Sequence, residues 1–497
     1  MPSKAVKTKK SESIESIAFV SLGCAKNLVD SERMLGLLAA DGIAIVPNAA
    51  DADAIVINTC GFLEASKDES MREINDAIAL KESGHLKKVI VAGCLVQRHK
   101  TMLLDEAPGI DRLVGVFDRD HIVEAVRGIV NPRQAHGHYL GKYHDLSNEL
   151  AKKQGLAVDS EDGVKRTKTN RLPVFEDDRA RLRLTPRHYA YLRMSEGCNQ
   201  GCSFCTIPSI RGPMRSKPVE QIIAEARELA SDGAVELNLI GQDTTSYGTD
   251  IGYAAGLNGL LRTLNQVLPK DVQWLRLMYA YPSCFTDDMI KAIADSERVV
   301  KYIDMPLQHI SDRMLAMMKR RVTGKQIRTL LDKLKKWIPG MAIRTTFIAG
   351  SPTETEKDHE ELVQFIKDYE FEHLGVFPFS AEPGTPMGRA DHQHDDQTKQ
   401  RWVENIMLTQ QELVFARNET KVGDLMPVMI ERREKDGLYV ARHAGQAPDI
   451  DSVVFVSSRA KLAAGEIVSV KVTDYQAYDL IAQVPAKKGR SLAVVRA

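Results

Sequence analysis

Tyr189-Ala190-Tyr191-Leu192-Arg193-Met194 leads through Ser195-Glu196-Gly197 into Cys198-Asn199-Gln200-Gly201-Cys202-Ser203-Phe204-Cys205. The apolar run predicts a strand, and the C-x3-C-x2-C spacing after it puts three thiols on one short loop. Three thiolates can hold a four-iron cluster and leave one iron open to a small molecule, whereas clusters that store electrons typically use four cysteines. The loop therefore points to catalysis. Zinc is the alternative, but zinc knuckles favour C-x2-C pairs completed by a further Cys or His at short spacing, and none follows Cys205 closely.

A second set of cysteines is legible from periodicity. Cys24, Cys60 and Cys94 stand 36 and 34 residues apart, about the length of one β-α-β step. Each follows an apolar run: Ile17-Ala18-Phe19-Val20, Ala54-Ile55-Val56-Ile57 and Val89-Ile90-Val91-Ala92. Helical stretches, such as residues 31–40 and 97–106, come next. Strands alternating with helices predict an α/β domain with a doubly wound parallel sheet, whose ligand crevice lies outside the carboxyl ends of the strands. One buried cysteine is ordinary core material. Three at equivalent strand ends predict convergence on a site.

The segment from Gly197-Cys198 to Ile207-Pro208, with Ile210-Arg211-Gly212 after it, resembles the cluster loop of radical S-adenosylmethionine (SAM) enzymes, and more narrowly that of the methylthiotransferase family. Ser21-Leu22-Gly23-Cys24-Ala25-Lys26-Asn27-Leu28-Val29-Asp30-Ser31-Glu32, Asn58-Thr59-Cys60-Gly61-Phe62 and Ala92-Gly93-Cys94-Leu95 resemble the three signature segments of that family's amino-terminal domain. The resemblance implies two [4Fe-4S] clusters as cofactors, with SAM. Cys198, Cys202 and Cys205 would hold the cluster at which SAM is reductively cleaved to a 5′-deoxyadenosyl radical. Cys24, Cys60 and Cys94 would hold an auxiliary cluster carrying the sulfur to be transferred. All six cysteines are thus expected to be both metal ligands and catalytic residues.

With 497 residues the chain is too long for one core, and two to four domains are expected. Lys plus Arg and Asp plus Glu both number 67, a balance that predicts no general affinity for nucleic acid or anionic membrane. Seven cysteines over this length are no disulfide framework, and six have cluster roles that require thiolates. The seventh, Cys284, reads as a packing residue. Lys4, Lys7, Lys9 and Lys10 precede no apolar stretch, and no run of about 18 apolar residues occurs. The protein is read as cytoplasmic, without a membrane partner, with a disordered tail over its first dozen residues.

Residues 15–130 form the expected amino-terminal domain, ending in a helix over 121–130. Residues 131–184 read as a linker, charged and aperiodic as in Asp159-Ser160-Glu161-Asp162-Gly163, whose charge is of the solvated kind with no chemistry. Residues 185–418 alternate again, with strands expected at 189–194, 235–240, 274–278, 302–305, 343–348 and 374–377 and helices at 219–230, 287–295, 324–337 and 356–369. Six such units are too few for a closed eight-fold barrel but fit the partial (β/α)6 barrel of radical SAM enzymes, with active-site groups at the carboxyl ends of the strands. Gln242 and Asp243, after the second strand, are where this fold usually contacts the methionine amine of SAM. Gln308, with Pro306 and His309, follows the fourth strand, and Arg344 and Thr346 lie in the fifth. Each has a plainer reading, since Gln and Thr cap helices and a lone His is commonly a satisfied core residue.

Residues 419–485 carry five short alternating runs, a small β-barrel that resembles the TRAM module, often an RNA binder. From Lys421 to Val484 it holds eight Lys and Arg against nine Asp and Glu, not the basic excess expected of a domain gripping phosphates. Gly241-Gln242-Asp243-Thr244-Thr245-Ser246-Tyr247-Gly248, Leu277-Met278-Tyr279-Ala280-Tyr281-Pro282, Pro306-Leu307-Gln308-His309 and Ala447-Pro448-Asp449-Ile450-Asp451 resemble the branch that modifies an aspartate of a small-subunit ribosomal protein near the decoding centre. The tRNA branch usually has Asn in place of Asp243. Departures from the family pattern are Ala349-Gly350-Ser351-Pro352-Thr353-Glu354-Thr355 after the fifth strand, Phe379-Ser380 near the sixth, and Glu382-Pro383 for an acidic pair.

The resemblance implies hydrogen abstraction from the aspartate β-carbon, coupling of sulfur to that carbon, and a second SAM as methyl donor. The expected partners are the small-subunit ribosomal protein, free or on the ribosome, a sulfur donor and an electron donor, with nucleic acid not the primary substrate. A tRNA adenosine methylthiotransferase is the first alternative, and a non-catalytic iron–sulfur module that binds ribosomes is the second.

Overall fold

The first sheet contains β1 (Ser16–Ser21), β2 (Ala44–Ile45), β3 (Ala54–Thr59), β4 (Lys88–Gly93) and β5 (Arg112–Gly115), all parallel, in the order β2-β1-β3-β4-β5. The structure is a computed structural model that describes residues 13–130, 137–143, 145–147, 149 and 175–485. The expected amino-terminal tail and most of the expected linker, residues 159–163 included, lie outside the described residues. Helices α1 (Ala25–Ala40) and α5 (Ile122–Arg127) bury Met34, Leu35, Leu38, Ile122 and Val126 on one face. On the other face α2 (Glu64–Glu82), α3 (Cys94–His99) and α4 (Met102–Glu106) bury Ile74, Leu95, Val96 and Leu103. Being covered on both faces, β3 is buried throughout, which explains its unbroken apolar start. The expected helix over 97–106 is broken at Lys100, which has φ +52°, and that over 121–130 stops at Gly128, a left-handed cap at φ +78°.

This strand order reverses between β1 and β3, the point at which such sheets open their ligand crevice. Cys24 follows β1 and Cys60 follows β3.

The central sheet is built from β6 (Tyr189–Arg193), β9 (Glu236–Ile240), β10 (Trp274–Leu277), β11 (Val299–Asp304), β12 (Ala342–Ala349) and β13 (His373–Pro378). All are parallel, in the order β13-β12-β11-β10-β9-β6. The short antiparallel pair β7 (Ser195–Glu196) and β8 (Arg215–Ser216) brackets the cysteine loop. Helices Asp287–Asp295, Gly324–Trp337 and Glu356–Tyr369 start where Thr286, Thr323 and Thr355 accept a hydrogen bond from a backbone N–H of the first turn. Their apolar faces, with Ile290, Leu331, Leu362 and Phe365, meet Leu237, Leu275, Ile303, Ile343 and Phe347 of the strands.

The third domain is a closed barrel of β14 (Leu425–Lys435), β15 (Leu438–His443), β16 (Val454–Ser457), β17 (Ile467–Gln476) and β18 (Asp479–Gln483), ordered β14-β15-β16-β18-β17. It plugs the hollow of the central sheet. Each of the six central strands contributes a polar side chain to it. Tyr189 donates to Asp449 (2.7 Å) and Tyr302 to Asp451 (2.8 Å), while Glu236 pairs with Arg442 (2.6 Å). Arg276 donates to the Ala444 carbonyl (2.8 Å), Arg344 pairs with Asp451 (3.3 Å), and His373 lies 2.7 Å from the Gly445 carbonyl. The opening left to a ligand is at the carboxyl ends of the strands, where the cysteine loop lies.

The expected linker is ordered against the domains at both described ends, and at its carboxyl end the expectation that its charges are merely solvated does not hold. Tyr139 extends the first sheet beyond β5, its N–H donating to the Leu113 carbonyl (2.8 Å) and its carbonyl accepting from Gly115 N–H (2.7 Å). Glu176 and Asp178 are buried. Asp178 binds Arg119 (2.8 Å) of the first domain and Arg193 and Lys217 (both 2.5 Å) of the second, and Glu176 holds Arg215 (2.7 Å). Composition records these carboxylates but not the cations that converge on them across a domain interface.

Candidate active site between two cysteine triads

Two glycines let the first three cysteine loops approach. Gly23 has φ +88°, and a Cβ on it would stand 2.8 Å from Cys60 Cβ. A Cβ on Gly61 would stand 2.6 Å from Leu95 Cα, the residue after Cys94. Asn27 then ties the loops together. Its amide donates to the Leu22 carbonyl (2.6 Å) and the Thr59 carbonyl (3.3 Å), and its Oδ1 lies 3.9 Å from Cys94 Sγ. Cys24 precedes α1 and Cys94 begins α3, so both thiols meet helix amino ends, which favour thiolate.

The thiols feel one another. Burial pushes the Cys94 thiol up to about 12, the neighbouring Cys24 and Cys60 add to this, and Arg211 opposes it. At Cys24 desolvation also raises the thiol, but Lys26 and Arg211 outweigh it and leave it below its ordinary value.

The second triad is pinned by its backbone. Cys198 N–H donates to the Gly212 carbonyl (3.2 Å), and Ser203 N–H donates to the Met318 carbonyl (3.1 Å). Gln200 N–H points at Cys198 Sγ (3.5 Å), Ile207 N–H at Cys205 Sγ (3.4 Å), and Arg320 Nη1 lies 3.7 Å from Cys202 Sγ. Burial raises Cys198 to about 11 and Cys205 to about 12, with the neighbouring thiols adding to both. Thiols this close do not ionise together unaided, and metal ligation is what deprotonates them. Each triad therefore has the donor chemistry of a cluster site. Among the described residues no three Cys, His, Asp or Glu side chains gather about a single ion position; a cubane asks for less, offering a separate iron to each thiolate.

The helix Ile207–Arg211, directly after Cys205, joins the two sites. Ile210 packs with Cys94, Val116 and Phe117. Arg211 Nη2 lies 3.2 Å from Cys94 Sγ and 3.2 Å from Asn27 Oδ1, while its Nη1 pairs with Asp30 (2.8 Å) and Glu196 (3.0 Å). Glu196 also holds Arg193 (2.6 Å) and accepts from the Gln242 amide. Lys26 Nζ lies 3.2 Å above the ring of Tyr279, at the carboxyl end of β10. Tyr279 (φ +58°) and Gln308 (φ +73°) are both left-handed without being glycine, a strain that gathers at functional sites.

Of the polar residues expected here, Gln242 and Asp243 lie beside the second triad. Gln242 Oε1 is buried without a hydrogen-bond partner, an acceptor available to a ligand. Asp243 is buried and accepts from Gln200 (2.5 Å), Thr245 (2.7 Å) and Ser246 (2.6 Å), so it fixes the cysteine loop. Gln308 is half-buried, its backbone locked between Thr346 and Ile348 of β12. Arg344 sits deeper, near the amino end of β12, held by Asp304 (2.9 Å) and Asp451 (3.3 Å). His309 is a satisfied core residue, 3.3 Å from Glu354. Cys284 does more than pack, since its sulfur lies 3.5 Å from the Gln200 amide. Sequence reasoning passed over Lys26, Asn27, Asp30, Glu196 and Arg211, although all five stand inside the quoted cysteine segments or directly beside them.

Three family models match: Uncharacterized protein family UPF0004 over residues 16–115, the Radical SAM superfamily over 192–366, and the TRAM domain over 422–484. The chain is similar to the ribosomal protein uS12 methylthiotransferase RimO of Desulforamulus reducens, 39% identical over 471 residues that cover 94% of this chain and 99% of that one. It is likewise similar to the protein of that name from Anaeromyxobacter sp. (strain Fw109-5), 41% identical over 469 residues, 94% of this chain and 92% of that one. Among solved structures, the radical S-adenosylmethionine methyltransferase TsrM of Kitasatospora setae shares the fold, with TM-score 0.52 and 15% identity over 75% of this chain and 77% of that one. With about two residues in five identical to these relatives over nearly the full length, and both cysteine triads set at the carboxyl ends of parallel sheets, the chain belongs to the uS12 methylthiotransferase family of radical SAM enzymes.

Proposed function

We propose that the chain attaches a methylthio group to the β-carbon of an aspartate in the small-subunit ribosomal protein uS12, near the decoding centre. The observation that carries this reading is Arg211, which touches Cys94 of one triad only six residues after Cys205 completes the other. A single substrate carbon can thus be served by both. When bound, SAM and the two [4Fe-4S] clusters supply the radical at the Cys198 triad and the sulfur at the Cys24 triad.

The chain's own residues bind, orient and exclude water. We assign Gln242 and Gln308 to the SAM side of the site, with Asp243 bracing Gln200 behind the cysteine loop. Arg344 holds Asp304 and Asp451, and so fixes the barrel that fills the hollow from the other end. A carbon radical must meet its C–H target at van der Waals contact, and a plugged hollow keeps water from it. The buried ion pairs of Asp30, Asp178, Arg193 and Arg211 hold the first and central domains together.

A protein substrate is favoured over tRNA by charge. Of the barrel's charged residues, Glu431, Arg442, Asp449 and Asp451 face the central domain, and those remaining are near balance, without the basic excess that phosphate binding asks for. A ribosomal substrate and thiolates that need a reducing compartment support a cytoplasmic reaction, and the chemistry calls for a separate sulfur donor and electron donor. Among the described residues no helix is long and apolar enough to cross a membrane. Mass spectrometry after anaerobic incubation with SAM, sulfide and a reductant tests the reading. A methylthio gain on uS12 supports it, and the same gain on a tRNA adenosine with uS12 unchanged refutes it.

A further inference from the structure

Lys26 lies two residues after Cys24, in the first turn of α1, and only 7% of it is exposed. Its ammonium rests 3.2 Å from the centroid of the Tyr279 ring. Among the described residues no carboxylate is paired with it. Glu196, a carboxylate on the same side of the site, is already taken by Arg193, Arg211 and Gln242. An ammonium out of water, with an aromatic ring and the Cys24 thiol beside it but no carboxylate, is an unfavourable arrangement unless a carboxylate arrives to complete it.

The ring that supports the ammonium is itself fixed. Tyr279 is held in its left-handed conformation by its carbonyl, which accepts from Thr244 N–H (3.2 Å), and by its N–H, which donates to Asp304 (3.2 Å). Lys26 is thereby aimed at the space between Cys24 and the carboxyl ends of β9 and β10.

We propose that Lys26 receives the side-chain carboxylate of the substrate aspartate. This rests on the functional reading above. The reacting β-carbon is bonded to that carboxyl carbon, so a site that brings the carbon between the triads and excludes water must also bury the carboxylate and give it a cation. The other cations near the triads are engaged. Arg211 and Arg193 have carboxylate partners, and Arg320 stacks on Tyr281 (4.0 Å) and donates to the Pro306 carbonyl (2.6 Å) on the side of Cys202. Lys26 alone of these lies beside Cys24 without a carboxylate partner, its ammonium held by the Tyr279 side chain.

The test compares wild-type, Lys26→Met and Lys26→Arg holoenzymes on uS12 carrying Asp or Asn at the target position. Loss of a charge-assisted hydrogen bond predicts that Lys26→Met lowers kcat/KM for the Asp substrate by about 10- to 100-fold, mainly through KM. Iron content is expected to stay at the wild-type level, and Lys26→Arg to recover part of the loss. Binding of Asn-bearing uS12, measured by titration, is expected to be weak and no weaker with Lys26→Met. Equal losses for both substrates, or loss of iron from Lys26→Met, overturn the assignment by making the lysine a support of the cysteine site. Wild-type enzyme that modifies uS12 while Lys26→Met does so equally well overturns the assignment alone. Wild-type enzyme that leaves uS12 unmodified overturns the functional reading and the assignment with it.

Discussion

Arg211 Nη2 stands 3.2 Å from Cys94 Sγ, so the segment that carries one cysteine triad reaches into the other. The same guanidinium pairs with Asp30 of the first domain and Glu196 of the second. Arg211→Met would leave both carboxylates short of a cation in a buried network. Removing one partner of such a network costs about 3–5 kcal/mol. We expect a Tm several degrees lower by calorimetry and impaired iron loading at Cys94, with Arg211→Lys restoring part of both.

The two triads touch through Arg211, but each gathers its own three thiols, so they are expected to load independently. Replacing Cys24, Cys60 and Cys94 with Ala should reduce bound iron by about half, a single cubane remaining. Substrate-independent cleavage of SAM should persist and methylthiolated product should be absent. Replacing Cys198, Cys202 and Cys205 instead should abolish SAM cleavage while the other half of the iron stays. Iron assay and chromatography of 5′-deoxyadenosine read both outcomes.

Gly61→Ala tests how closely the first three loops must approach. The added methyl would stand 2.6 Å from Leu95 Cα, a backbone atom that cannot swing away. Overpacking of this kind typically costs about 1–3 kcal/mol. The Cys24 triad should lose iron while the Cys198 loop keeps its own, which separates the effect from general unfolding.

His121 gives a pH dependence. Its hydrogen bond to Glu149 raises it to about 9; burial opposes this, and Glu124 adds to it. A histidine whose folded value exceeds its unfolded value of about 6.5 stabilises the fold fully below that value. The contribution is lost as pH rises through about 9. Both side chains are about a third exposed, so screening holds it to about 1 kcal/mol or less. The Tm difference between wild type and His121→Gln should therefore be larger at pH 6 than at pH 9.5.

How much was legible in the sequence varies by element. The strands ending at Cys24, Cys60 and Cys94 could be read because apolar runs and thiols repeat at one spacing. The helices Asp287–Asp295, Gly324–Trp337 and Glu356–Tyr369 stand at the bounds expected of them, and the structure shows why each starts there: a threonine caps its first turn. The roles of Asp178 and Arg211 were hidden. Asp178 is a charge in a polar stretch and Arg211 a lone charge between Ile210 and Gly212, and only their partners, distant in sequence, distinguish them from solvated residues. Arg344 shows the converse limit. Its place in β12 was expected, but the strand's depth, and the Asp451 that meets it from the third domain, are set by tertiary contacts that a local pattern does not record.

The most direct test of the central claim uses uS12 whose target aspartate is deuterated at its β-carbon, incubated anaerobically with the reconstituted enzyme, SAM, sulfide and a reductant. Mass spectrometry of both products is predicted to find a methylthio group on that aspartate and deuterium in 5′-deoxyadenosine. A methylthio product with no deuterium transferred, or unmodified uS12 beside a modified tRNA adenosine, would contradict it.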